Sequence, residues 1–257
     1  MEPANTRTRA AILGAQIDSL EWDTALARIA SWAKRRESRY VCLCNVHSVV
    51  TASLEPEFRD VINHADLATP DGMPVAWALS QLGFPRQPRI NGPDLMWRLC
   101  EYSTRSGIKL FFYGSSPQTL ALLETKLNTS FANIHVVGML SPPYRALSAE
   151  ENTAMVKQIN ASGAELVFVG LGCPKQEIWM AAQRGKINAV MLGVGAAFDY
   201  HAGTLRRAPH WMQRSGLEWL YRFGQEPRRL WRRYLVTNTI FVIGMVRQLL
   251  TRSKHPT

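Results

Sequence analysis

Apolar runs alternate with stretches of helical periodicity along most of the chain. Apolar, β-rich segments at 11–17, 40–44, 109–113, 134–137, 166–170 and 188–194 predict strands, and several are continuously apolar, as strands covered on both faces should be. Between them, 24–35 carries an apolar stripe opposite basic positions and predicts a helix. Pro93, followed by Asp94, marks a second helix start, and Ser116-Pro117 opens a third that runs to about residue 127. Ser148 with Glu151 has the spacing of a capping box before another helix. Strand and helix in alternation predict an α/β fold, Rossmann-like, with a largely parallel sheet flanked by helices. No internal repeat is present.

The pattern changes near residue 205, where a boundary is expected between a body (1–205) and a basic helical C-terminal appendage (206–257). The appendage has eleven Lys/Arg against two acids, Glu218 and Glu226, and three of the eight tryptophans, Trp211, Trp219 and Trp231. The whole chain of 257 residues has a net charge of +10, so the body is nearly neutral. A basic, aromatic segment seeks nucleic acid, anionic lipid or a phosphate-rich substrate. Arg228, Arg229, Arg232 and Arg233 flank one helical face, as in a helix lying in a membrane interface. The apolar stretch 235–246 contains Thr237, Asn238 and Thr239 and is too short to cross a bilayer alone. Residues 1–10 are polar and read as no secretory signal. The four cysteines Cys42, Cys44, Cys100 and Cys173 are too few for a disulfide scaffold and point to a reducing compartment.

In open α/β sheets ligands bind beyond the C-terminal strand ends. Three such ends carry glycine-rich turns that open helices: Gly114-Ser115-Ser116-Pro117, the run from Gly170 through Gly172 and Lys175 to Glu177, and Gly193-Val194-Gly195. Strand, glycine turn and helix start together form a phosphate-binding geometry, so a diphosphate-bearing ligand is expected. None is a Walker loop, and Phe198 stands where a dinucleotide fingerprint needs its third glycine. That weakens the reading of a nucleotide-dependent oxidoreductase. A nucleic-acid binder would explain the basic segment and leave the strand-end turns unexplained.

Asp71, in the turn Thr69-Pro70-Asp71-Gly72, is either a local acceptor for backbone amides or a general base; spacing does not choose between them. Arg89 is either locally paired or grips a phosphate in a bidentate fork. His47, His201 and His210 lack metal-ligand spacing, and no Asp-x-Asp pair is present, so neither a metal site nor a cofactor is expected.

Taken together, these motifs resemble the WecG/TagA/CpsF family of bacterial glycosyltransferases. The resemblance runs from about residue 11 to 233. It rests on Asn45, the Thr69–Gly72 turn, Arg89 to Leu95, Gly170 to Glu177, Gly193-Val194-Gly195 with Phe198-Asp199, Ala202-Gly203, Arg207-Ala208-Pro209, Gly216 to Trp219 and Glu226-Pro227-Arg228. It implies transfer of a hexose-type sugar from a UDP-sugar to a polyprenyl-diphosphate-linked saccharide, inverting and independent of metal, for a cell-surface or exopolysaccharide. N-acetylmannosamine, its uronic acid, glucose and glucuronic acid all fit as the sugar. The implied catalytic residues are Asp71 as base, Gln176 and Arg89. The implied substrate-binding residues are Asn45, Gly114, Ser115, Gly170, Gly172, Lys175, Glu177, Gly195 and Asp199. Arg206, Arg207, Arg214, Arg228, Arg229 and Arg232 would face the lipid diphosphate and an anionic membrane. The expected location is cytoplasmic, peripheral on the inner face of the plasma membrane, without nucleic acid and compatible with a homo-oligomer. One position departs from the family: Leu43 stands where many members carry Thr.

Overall fold

The computed structural model describes residues 7–254. The outermost residues of the polar N-terminal stretch and of the basic C-terminal segment, both discussed above, lie outside the described residues. In chain order the elements begin β1 (Arg9–Ile12), β2 (Ala15–Asp18), α1 (Trp22–Lys34), β3 (Arg39–Cys44), α2 (Val46–Leu54), α3 (Pro56–Asn63) and β4 (Leu67–Pro70). They continue α4 (Met73–Gln81), α5 (Gly92–Ser106), β5 (Leu110–Gly114), α6 (Pro117–Ser130), β6 (Val136–Leu140), α7 (Ala149–Ala161) and β7 (Leu166–Gly170). The last are α8 (Lys175–Gln183), β8 (Val190–Gly193), α9 (Ala197–Ala202), α10 (His210–Arg214), α11 (Glu218–Gln225) and α12 (Pro227–Lys254).

The chain divides into two compact units. The first is built from the stretch up to Glu21, from Cys44–Ile90 and from Arg207 onward; the second from Trp22–Leu43 and Asn91–Arg206.

The second unit holds a parallel sheet in the order β3-β8-β7-β5-β6. Of its central strands, β5 and β8 are buried throughout and β7 up to its last residue, which is why they read as apolar runs. Phe112 anchors the core against Phe168 and Phe198, at ring-centroid distances of 5.2 and 5.6 Å. The flanking helices start where local chemistry says they should. Asn91 caps α5 by accepting from Asp94 N, Ser116 caps α6 by accepting from Thr119 N, and Ser148 and Glu151 form the expected capping box of α7. Together these elements give the α/β, Rossmann-like architecture.

Two expectations are corrected in the first unit. The apolar run 11–17 is a hairpin, not one strand: Ile12 pairs with Ala15 across a two-residue turn at Leu13-Gly14. Both turn residues have positive φ, 49° and 92°, as a tight hairpin turn of this hand requires. Leu-Gly is not among the usual turn signals, so the apolar pattern hid the turn. Thr69 and Pro70, read as the start of a turn, instead close the fully buried strand β4. Its anchor is the buried Asp18 carboxylate. Asp18 accepts from Arg7 Nε at 2.8 Å and Nη2 at 2.6 Å and from the Ala68 amide at 2.7 Å, which joins β2 to β4. An ion pair that also satisfies a backbone donor offsets the desolvation of both charges.

The C-terminal segment is not a free appendage. Leu230, Thr237, Phe241 and Met245 of α12 are buried, on one side of the helix. Farther along the same side, Gln248 accepts from Leu13 N at 3.0 Å and donates to Ala11 O at 2.6 Å, against the hairpin turn. The opposite side, with Leu235, Val242, Val246 and Leu250, is exposed and apolar. Arg228, Arg229 and Arg232 are exposed at the N-terminal end of this helix.

Candidate active site

In the first unit the candidate centre is built around Asp71, at the C-terminal end of β4. Burial of Leu67–Pro70 fixes where the strand stops, and Gly72 then begins α4. The main chain at Asp71 is held from both sides. Its N–H donates to Cys44 O at 2.9 Å, and its C=O accepts from Arg89 Nε at 2.6 Å. The neighbouring Pro70 C=O accepts from Ile90 N at 2.9 Å, and the Thr69 hydroxyl donates to Ile90 O at 3.2 Å. Asp71 is half-buried, so its carboxyl group is not walled off inside the core. Asn45 sits against this turn: a Cβ placed on Gly72 would meet Asn45 Cβ at 3.7 Å. The Asn45 side-chain oxygen accepts from Ser48 N at 3.2 Å and so caps α2.

Arg89 departs from the phosphate fork considered above. Its Nε is directed at the Asp71 carbonyl and its Nη2 at Glu218 Oε2, on the first turn of α11. Arg207 Nε stands 3.6 Å from the other oxygen of the same carboxylate. The side chains of Arg89 and Glu218 are 16% and 17% exposed, so the pair is largely shielded from solvent. Glu218 lies within the Gly216–Trp219 motif, whose spacing assigns it no role. The available signal was that Glu218 is one of only two acids among eleven bases, a composition in which a carboxylate is expected to have a partner.

In the second unit the strand ends of β5, β7 and β8 lie side by side and feed α6, α8 and α9. Gly114 pairs in register with Gly170, at a φ of 126°. A Cβ on Gly114 would lie 2.6 Å from the Gly170 carbonyl carbon and oxygen, so only glycine allows this approach. Ser115 continues at a φ of 60°; its N–H donates to Gly170 O at 3.2 Å, and its C=O accepts from the Ser141 hydroxyl at 2.6 Å. Lys175 opens α8 and is exposed. Asp199 on α9 is half-buried, with its carboxylate 3.5 Å from the Thr119 hydroxyl and 3.4 Å from that of Thr204.

Gln176, expected as catalytic, and Glu177, expected at the substrate, are almost fully buried, at 3% and 1% exposed. The Gln176 side-chain oxygen accepts from two backbone amides, Gly172 N and Gly195 N, each at 3.1 Å, and its Nε2 donates to Glu177 Oε1 at 2.9 Å. Gln176 is thus a strut joining the loop after β7 to the loop after β8. The same bonds engage the Gly172 and Gly195 amides and fix the shape of both loops.

The arginines expected at a lipid diphosphate divide between the units. Arg214, Arg228, Arg229 and Arg232 are exposed in the first unit, Arg207 faces Glu218, and Arg206 is exposed in the second. Trp219 packs edge-on against Tyr234, 5.8 Å between centroids, and stays 40% exposed. Trp211 and Trp231 are exposed as well. By length and composition the helical stretch Pro227–Thr251 could cross a membrane. Compared with known families, the chain matches one sequence model, described as the glycosyl transferase WecG/TagA/CpsF family, over residues 10–255.

Proposed function

Because the chain belongs to the WecG/TagA/CpsF family of glycosyl transferases, we propose that it transfers a hexose-type sugar from a UDP-sugar to a polyprenyl-diphosphate-linked saccharide, inverting the anomeric carbon without a metal ion. Inversion in one displacement needs a base on the acceptor hydroxyl and stabilisation of the departing diphosphate. Asp71 is the base. The observation that carries this assignment is its half-buried position on a main chain bonded on both sides, to Cys44 O through its N–H and to Arg89 through its carbonyl. A general base in reach of its proton contributes about 10²- to 10⁴-fold in rate.

The departing diphosphate needs anion-binding donors, and the second unit by itself offers them. There the N-terminal turns of α6 and α8 begin at strand ends, and Lys175 supplies a positive charge. Helix starts favour anions because unpaired N–H groups and the helix dipole both point at them. Removing one such donor typically costs about 10²- to 10³-fold. The remaining acceleration comes from holding donor and acceptor together.

The acceptor lipid resides in a bilayer, so the enzyme works on the inner face of the bacterial plasma membrane. The outward apolar side of α12, with arginines at its N-terminal end, supports that attachment. Each Lys/Arg near an anionic surface contributes about 1 kcal/mol. The tie from Gln248 to Leu13 and Ala11 keeps the far end of α12 on the protein, which favours a helix lying in the interface over one that spans it.

The test is Asp71→Asn, assayed in EDTA against a panel of UDP-sugars with a short-chain lipid-diphosphate acceptor. Turnover falls at least about 100-fold while UDP-sugar binding is retained. Wild-type turnover by the variant removes Asp71 from the mechanism, and the productive donor in the panel names the sugar.

A further inference from the structure

We propose that Glu218 is a positioning residue for the transfer, acting through Arg89 on the main chain of Asp71; the proposal rests on Asp71 being the base. Two arginines, Arg89 from a distant stretch and Arg207 from the stretch just before α11, meet at one carboxylate. Arg89 Nη2 donates to Glu218 Oε2, Arg207 Nε lies 3.6 Å from Glu218 Oε1, and Arg89 Nε in turn donates to Asp71 O at 2.6 Å. The link spans 129 residues between Arg89 and Glu218.

A carboxylate is what this arrangement needs. It neutralises two guanidinium groups brought close to each other, and it fixes the plane of the Arg89 fork so that Nε faces the Asp71 carbonyl. Without it, two partly shielded cations repel, and Arg89 swings toward solvent. The peptide between Asp71 and Gly72 then loses its side-chain donor and is free to rotate. That peptide sets the direction of the Asp71 side chain.

Glu218 itself does not take the acceptor proton: its two oxygens face two arginines. Nor is it there to seat a core helix, since no residue of α11 is fully buried. What Glu218 holds in place is therefore the Arg89–Asp71 contact.

The experiment is a double-mutant cycle in kcat between Glu218→Gln and Arg89→Met, repeated with Glu218→Ala, with donor KM, UDP affinity and thermal midpoint read in parallel. Glu218→Gln keeps volume and reach and removes the charge. It lowers kcat about 10-fold, and Glu218→Ala about 100-fold, as displacement of a reacting group by an ångström does. Donor KM and UDP affinity stay at the wild-type values. In the Arg89→Met background either substitution changes kcat by less than about 3-fold, because residues acting through one another are non-additive.

Additive losses in the cycle, or wild-type kcat in both Glu218 variants, overturn the proposal. If Glu218→Ala does not fold, the Glu218→Gln cycle decides alone. Asp71→Asn separates the two levels. Full turnover in that variant refutes the base and with it the chain of contacts, whereas an inactive Asp71→Asn with an additive cycle refutes the role of Glu218 only.

Discussion

Replacing Gln176 tests the strut that joins two strand-end loops. Gln176→Leu keeps a side chain of similar size and removes every hydrogen bond the amide makes. The Gly172 and Gly195 amides lose a common acceptor at 3.1 Å, and Glu177 loses a donor at 2.9 Å. Each polar group left unpaired in a buried setting costs about 1–3 kcal/mol. Both glycines are only half-buried, so water reaches their amides and the lower end of the range applies. The expected loss is about 3 kcal/mol in total, seen as a fall in melting temperature of about 6–12 °C for a chain of this size. Gln176→Glu is the sharper comparison. It preserves the acceptor for both amides and sets a second carboxyl group against Glu177. At low pH one of the two is protonated and donates to the other, so the bond returns. The shared proton raises the folded-state pKa of the pair above the ordinary value of about 4.3. The compensating stability is therefore present at pH values below that ordinary value and is lost as pH rises through the raised one. Calorimetry at about pH 4 and pH 8 reads this directly. Gln176→Leu is destabilised at both, and Gln176→Glu recovers toward wild type at the lower pH and is destabilised at the higher. A Gln176→Leu variant within 1 kcal/mol of wild type, or a Gln176→Glu deficit independent of pH, refutes the strut.

Two further outcomes follow from the geometry. Gly114→Ala sets a Cβ 2.6 Å from the Gly170 backbone and yields no folded protein, whereas Gly172→Ala, with open space around it, costs only about 1–2 kcal/mol for its positive φ; urea unfolding of the pair checks the contrast. On α12, Val242→Glu with Val246→Glu abolishes sedimentation with anionic vesicles and leaves the urea midpoint unchanged, because both side chains are exposed, while Phe241→Ala on the buried side costs about 3–5 kcal/mol; a double variant that still sediments removes the outward side of α12 from membrane attachment.

Truncation near residue 203 would be a poor test of attachment. Deleting α12 strips the buried Phe241 and Met245 from the first unit and removes the Gln248 bonds to the hairpin turn, so a released fragment would report damage as much as lost membrane affinity.

What the amino-acid order determined by itself is what short-range forces decide. Burial on both faces wrote the central strands as apolar runs, and Ser116, Ser148 and Asn91 mark helix starts because a cap bonds to an amide three residues on. The glycine-rich strand ends and the basic last fifth of the chain were legible for the same reason. The tertiary structure alone decided which groups meet. The turn at Leu13-Gly14 lay inside an apolar run, and the strand β4 was masked by its closing proline. Gln176 reads as an ordinary helix residue until Gly195 is brought to its amide, and Glu218 as a solvated acid until folding carries it to Arg89. Such contacts repay the entropy of ordering only when the whole unit forms, so no local window of sequence contains them.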